Sequence, residues 1–178
     1  MKRIVITGPE STGKSTLCEQ LARHYNTVWC PEFARHYLTE NGTAYGYDDL
    51  TVIAKGQLKS QEEKEAEAKN GFYFIDTDMY VMKVWHEVVF NACPTWILKT
   101  IAKTRYDLYL LCDTDLPWAK DELREYPDIA TRQKLFRIYK DAVLNSGIPW
   151  AIVSGNNEHR LHTAINAIET FTNKSIPA

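Results

Sequence analysis

Gly8-Pro9-Glu10-Ser11-Thr12-Gly13-Lys14-Ser15 follows directly on the apolar run Ile4-Val5-Ile6-Thr7, and its reading decides the rest of the chain. Gly8 and Gly13 allow backbone conformations that a side chain would forbid, so successive amides can converge on a polyphosphate. Pro9, Glu10, Ser11 and Thr12 fill the span between them, Lys14 adds a point charge, and the Ser15 hydroxyl suits Mg²⁺. Thr16 and the residues after it carry apolar side chains at 17, 18, 21, 22 and 25, a helical period whose N-terminus directs its dipole at the phosphates. Strand, loop and helix come in the order that binding ATP requires. Gly8 to Thr16 are therefore the expected nucleotide contacts.

A chain of 178 residues is long enough for a sizeable core, and one domain over 1–178 is the simplest expectation. The net charge of −2, from 21 basic and 23 acidic residues without a basic tract, argues against nucleic acid and membrane surfaces as partners. A small anionic ligand fits better. Cys18, Cys30, Cys93 and Cys112 form no C-x-x-C pair, and three of them sit in apolar runs, which points to a reducing cytoplasm. The apolar run after Met1-Lys2-Arg3 is too short for a signal peptide, and no later stretch reaches membrane-spanning length. No pattern sets an oligomeric state.

Thr27-Val28-Trp29-Cys30 reads as a short strand stopped by Pro31, with a helix from Glu32. Asp48-Asp49 is expected to cap a long helix running to Asn70-Gly71, whose charged half over 61–69 reads as a solvated face. Phe72 to Ile75, Leu108 to Cys112 and Trp150 to Val153 are further apolar strands, separated by helical stretches over 80–90, 94–104, 130–145 and 159–172. The segment from 115 to 132 loses its apolar period and reads as a mobile covering lid. Five such strands alternating with helices imply a parallel sheet covered on both faces, a three-layer α/β sandwich. Ligands bind at the carboxyl ends of such strands. Gly8 to Ser15, Glu32, Asp76 to Asp78, Asp113 to Asp115 and 154–157, with Asn156 on the nucleotide side, should therefore share one rim.

Phosphoryl transfer needs a positioned nucleophile and neutralised charge on the moving group. Asp76, just past the third strand, is placed to hold Mg²⁺ beside Ser15. Asp78 suits a helix cap as well as a hydrogen bond to a substrate hydroxyl. Glu32, past the second strand, can orient or deprotonate an attacking hydroxyl, and Arg35 one turn on can pair with Glu32 or touch the acceptor. Arg124 and Arg132 can swing over the triphosphate as arginine fingers do. Trp118, in an otherwise charged segment, can stack on a ring or anchor the lid.

Together with the phosphate loop, Pro31-Glu32-Phe33-Ala34-Arg35, Phe74-Ile75-Asp76-Thr77-Asp78, Tyr106-Asp107-Leu108 and Leu116-Pro117-Trp118 with Leu123-Arg124 resemble the nicotinamide riboside kinase domain of NadR-like proteins. The resemblance covers nearly the whole chain, with the motifs in order. It implies a P-loop kinase fold that uses ATP and Mg²⁺ to phosphorylate the ribose 5′-hydroxyl of a small-molecule nucleoside, nicotinamide riboside. It implies Glu32 and Arg35 on the acceptor side, Asp76 on the metal side, and Arg124 and Arg132 in the lid. Pro31 stands where better-known members place an aromatic residue suited to stacking on the base, which leaves Phe33, Tyr37 or Trp85 for that role. Only the kinase step carries over to a chain of this length. Two other readings remain: a kinase of another nucleoside or nucleotide, and an ATP-binding regulatory switch that presents its charged 61–69 face to a partner.

Overall fold

Alternation along β1 (Lys2–Thr7) sends Ile4 and Ile6 to one face of a sheet and Val5 to the other, each fully buried. The structure is a computed structural model that describes residues 1–174. β1 pairs in parallel with β3 (Phe72–Asp76) and β4 (Leu108–Cys112), and β2 (Trp29–Cys30) and β5 (Trp150–Val153) form the edges. The order is β2-β3-β1-β4-β5, the five-stranded parallel sheet expected.

α1 (Lys14–His24) and α7 (Asn157–Lys174) cover one face, where Leu17, Leu21, Ala164 and Ile168 pack on Ile4, Ile6, Phe74 and Leu110. α4 (Met79–Phe90) and α6 (Ile129–Asn145) cover the other through Val81, Val84, Leu135 and Tyr139. A third cluster joins α2 (Phe33–Asn41), α3 (Tyr47–Glu65) and α5 (Thr95–Lys103) to α4, with Leu38, Leu50, Ile53, Met82 and Ile97 inside it. Each fully buried Leu or Ile here contributes roughly 1.5–3 kcal/mol relative to exposure.

The expected helix to Asn70-Gly71 ends instead at Glu65. Tertiary partners claim the backbone beyond it: Lys69 N donates to Thr27 Oγ1, and Asn70 Nδ2 donates to the Tyr25 and Asn26 carbonyls. Thr27 is thereby committed to that turn, and β2 keeps only two residues. The charged face is also incomplete, since Gln61 is buried, donating to Thr77 O and accepting from Tyr106 Oη.

From β1 the chain runs out to edge strand β2, returns through β3, and only then crosses to β4 and β5. β1 thus lies where the winding reverses, which opens a crevice at its carboxyl end.

Candidate active site

The loop after β1 forms one wall of a cleft lined by Gly8 to Thr16, Glu32, Arg35 and Arg124. Gly8 has φ +135°, and a Cβ there would sit 2.8 Å from the Cys112 carbonyl oxygen of neighbouring β4. A side chain would push the loop off the sheet. Gly13 caps α1 in the left-handed region, and no side chain takes up the first-turn amides, which leaves them for an anion. Thr12 Oγ1 and Lys14 Nζ both donate to Pro9 O, at 2.7 and 2.9 Å, bracing the loop from within.

Asp76, at the end of β3, is fully buried and accepts the Ser15 hydroxyl. Burial, with the charge of Glu32 second, pushes its carboxyl up to about 6, while Lys14 and the Ser15 hydroxyl act against the rise. A buried carboxylate beside a hydroxyl and a second carboxylate is a fitting place for a divalent cation, whose charge would offset both effects. Ser15 and Asp76 are the residues that would hold it.

Glu32 is the N-cap residue of α2, yet its carboxylate makes no capping bond, and the residue lines the same cleft as the phosphate loop. The place of Glu32 is set by Gln57, a buried residue that the sequence analysis missed. Gln57 Oε1 accepts Phe33 N at 2.7 Å and its Nε2 donates to Asp76 O at 3.2 Å, tying the residue after Glu32 to the end of β3. Arg35 does not pair with Glu32. It lines the cleft and donates to Asp121 of the lid at 3.0 Å.

Leu38, Val81, Val84, Trp85 and Val88 make the far end of the cleft apolar. The last four recur at i, i+3, i+4 and i+7 along α4, a stripe that sequence alone assigns to the core. Of the three aromatics proposed for the base, Trp85 alone lines the cleft. Phe33 lies over Gly56, where a Cβ would meet its ring at 2.2 Å, and Tyr37 donates to Asp49 Oδ1 at 2.6 Å.

Two open alternatives are decided, for Asp78 and Trp118, and two expectations are corrected, for Arg132 and Asn156. Asp78 is absent from the cleft wall: its Oδ1 caps α4 by accepting Tyr80 N and Val81 N, and its Oδ2 accepts Tyr109 Oη at 2.7 Å, which is the helix-cap alternative. Arg132 is not a mobile finger. It belongs to the first turn of α6, is buried, and donates to Ser11 O and Leu116 O, which fixes the base of the lid. Trp118 anchors the lid, donating its indole N–H to Glu10 Oε1 at 3.1 Å, and does not line the cleft. Asn156 also lies off the cleft, in the turn before α7, where its carbonyl accepts Arg160 N. Arg160 and Asp115 clamp that turn, and Arg160 Cδ would lie 4.0 Å from a Cβ on Gly13. Arg124 lines the cleft, with Nη1 donating to Ala119 O.

The AAA domain family matches residues 3–160. The chain belongs to the AAA domain family. Within it, the chain is 27% identical over 157 residues to the trifunctional NAD biosynthesis/regulator protein NadR of Escherichia coli (strain K12), an alignment covering 86% of this chain and 38% of that protein. NadR of Salmonella typhimurium (strain LT2) matches over the same shares at the same identity, so this AAA domain spans well under half the length of both curated relatives. Among solved structures, the NadR protein in complex with NR superposes with a TM-score of 0.81 at 26% identity, covering 97% of this chain and 50% of that one. NadR in complex with NAD and AMP-PNP gives 0.79 at 26% identity, over 99% and 51%. Thymidylate kinase from Candida albicans, 16% identical with a TM-score of 0.66 over 97% and 92%, shares the fold. The resemblance read from the motifs therefore holds along the chain, and the fold is that of P-loop kinases.

Proposed function

We propose that this protein is an ATP-dependent kinase that transfers the γ-phosphoryl group to the ribose 5′-hydroxyl of nicotinamide riboside, giving nicotinamide mononucleotide. The observation that carries the reading is Glu32: a carboxylate without a capping bond that lines the same cleft as the phosphate loop, within which a bound hydroxyl can reach both. The hydroxyl oxygen attacks the γ-phosphorus, its bond to the β-phosphate oxygen breaks, ADP leaves, and the hydroxyl proton passes to Glu32. Lys14 and the loop amides hold the β- and γ-phosphates, and Arg124 offsets the charge that develops between them. Ser15 and Asp76 would hold Mg²⁺, which would supply charge neutralisation during the transfer.

The apolar end of the cleft supports the choice of base. Leu38, Val81, Val84 and Val88 offer no hydrogen bonds, and the Trp85 indole N–H is already donated to Tyr45 Oη at 2.9 Å. Such a wall suits one face of a flat ring, with Trp85 available to stack on it. Structures of NadR with NR and with AMP-PNP accord with a riboside and an ATP-type nucleotide as the two substrates. The free thiols Cys18, Cys30, Cys93 and Cys112 accord with work in a reducing cytoplasm.

Turnover of ATP with nicotinamide riboside, deoxynucleosides and nucleotides as acceptors tests the reading, with Glu32→Gln beside the wild type. Nicotinamide riboside should give the highest kcat/KM, and Glu32→Gln should lower kcat by about 10²–10⁴-fold while the KM for ATP stays within a few-fold. ATP consumption that no acceptor stimulates would overturn it in favour of a hydrolytic switch.

A further inference from the structure

We infer that Glu10, the acidic residue inside the phosphate loop, is a positioning residue that clasps both arms of the lid and thereby sets Arg124 over the cleft. The inference rests on the kinase reading above for its catalytic consequence, but not for its geometry.

The sequence places Glu10 among groups that cradle phosphate, an odd place for a carboxylate, because its charge repels the ligand. The structure gives it another task. Glu10 Oε1 accepts the Trp118 indole N–H at 3.1 Å and the Tyr126 amide at 2.7 Å, and Oε2 accepts the Glu125 amide at 2.9 Å. Trp118 belongs to the outgoing arm of the lid and Glu125-Tyr126 to the returning arm, so one carboxylate closes the intervening residues into a loop. Hydrogen bonds to an ionised acceptor are roughly twice as strong as neutral ones, and here three converge on one group.

Neighbouring contacts serve the same clasp. The Ala119 amide donates to Ser11 Oγ at 3.0 Å, and Arg132 joins Ser11 O to Leu116 O from beneath. Arg124 immediately precedes the returning arm and bonds back to Ala119 O on the outgoing one. Its place on the cleft therefore follows from how the two arms are held. Glu10 is also the anionic neighbour that favours the charged form of Arg132, whose burial acts the other way. The acidic loop residue thus ties the phosphate loop to both arms of the lid.

The test uses the full chain with Glu10→Ala, Glu10→Gln and Trp118→Phe. Lys120 and Arg124 are trypsin sites between the clasped arms, and their cleavage reads lid opening without reference to turnover. In Glu10→Ala, cleavage at these two sites should quicken at least about 10-fold at unchanged Tm, and kcat should fall about 10- to 100-fold, while acceptor-independent ATP hydrolysis rises relative to transfer. Glu10→Gln keeps one acceptor oxygen and should fall between, and Trp118→Phe removes one donor of three and should act by about 3-fold. Trp118→Phe should add nothing on top of Glu10→Ala, because the two share a bond. Unchanged cleavage in Glu10→Ala overturns the inference, as does cleavage spread along the chain with a lowered Tm, which marks a merely structural role. If Glu10→Ala does not fold, Glu10→Gln and Trp118→Phe decide by the same readout. A wild type that phosphorylates no riboside would end the kinase reading and leave the trypsin result to decide on Glu10 alone.

Discussion

The two sides of the cleft are built on different principles. The phosphate loop is continuous with β1 and α1, both buried in the core, and its path is fixed by backbone packing such as Gly8 against Cys112. The lid over 113–128 contains no helix or strand and is attached through side chains: Glu10 and Arg132 beside the phosphate loop, Arg35 of α2 and Tyr45 ahead of α3. On the proposed kinase reading, a site that holds phosphates in fixed geometry and still admits and releases a second substrate needs both kinds of wall. The loop is pre-organised by contacts that cannot be loosened one at a time. The lid is held by a few that can.

The sharpest way to break this contrast is to damage the backbone-built wall with a single methyl group. In Gly8→Ala the new Cβ meets a carbonyl oxygen rather than a flexible side chain, at φ +135°. Strain and overpacking together should cost about 3–5 kcal/mol of stability, measured by urea unfolding, and turnover should vanish with the loop geometry. A loss below about 1 kcal/mol would mean that this wall yields as readily as the lid does.

This division also governs what could be read from the sequence. The phosphate loop, the strands and the strand-end positions of Glu32 and Asp76 are local in origin, set by glycine spacing and by apolar runs that end at a polar residue. Long-range partners decide the rest. Glu10 meets the lid across 108 to 116 residues of chain, and no local pattern distinguishes it from a phosphate contact. Arg132 carries the composition of a solvated loop arginine but is drawn inside by two carbonyls. Trp85 sits on a stripe that would read equally well as core, because a substrate pocket for an apolar ring is an unfilled piece of core.

Asp78 sharpens the contrast by an intermediate effect, since it stands at the same rim but belongs to the packed side. Burial pushes its carboxyl up to about 6, against Tyr109 and two amides that favour the charge. The unfolded value is about 3.9, so the folded state binds this proton more tightly. Its stabilising contribution is therefore complete below about pH 4 and is lost as pH rises toward and past about 6, at up to about 1.4 kcal/mol per pH unit. Asp78→Asn keeps an equivalent cap and removes the titration. Thermal unfolding of both proteins in metal-free buffer should show the variant gaining on the wild type across pH 4–6 and running parallel above it. A difference curve that stays flat would mean that the three hydrogen bonds, and not burial, set the charge of Asp78.

The smallest effect belongs to the exposed attachment of the lid. Arg35 and Asp121 meet at 3.0 Å, with half of the arginine side chain and a quarter of the aspartate exposed. Solvent screening limits such a pair to about 0–1 kcal/mol, and salt weakens it further. The Asp121 carboxyl, held below its ordinary value first by the Leu123 amide and then by Arg35, keeps the amide bond when an asparagine replaces it. Asp121→Asn should therefore speed tryptic cleavage after Arg124 by less than about 3-fold, and by less still at high salt. Opening as large as that expected for Glu10→Ala would place the effective clasp on the acceptor side. On the proposed kinase reading, in which Arg35 meets the acceptor, acceptor binding would then release the lid at the moment it has to close. A weak, screened pair avoids that conflict, because Arg35 can leave Asp121 for the acceptor while Glu10 still holds both arms.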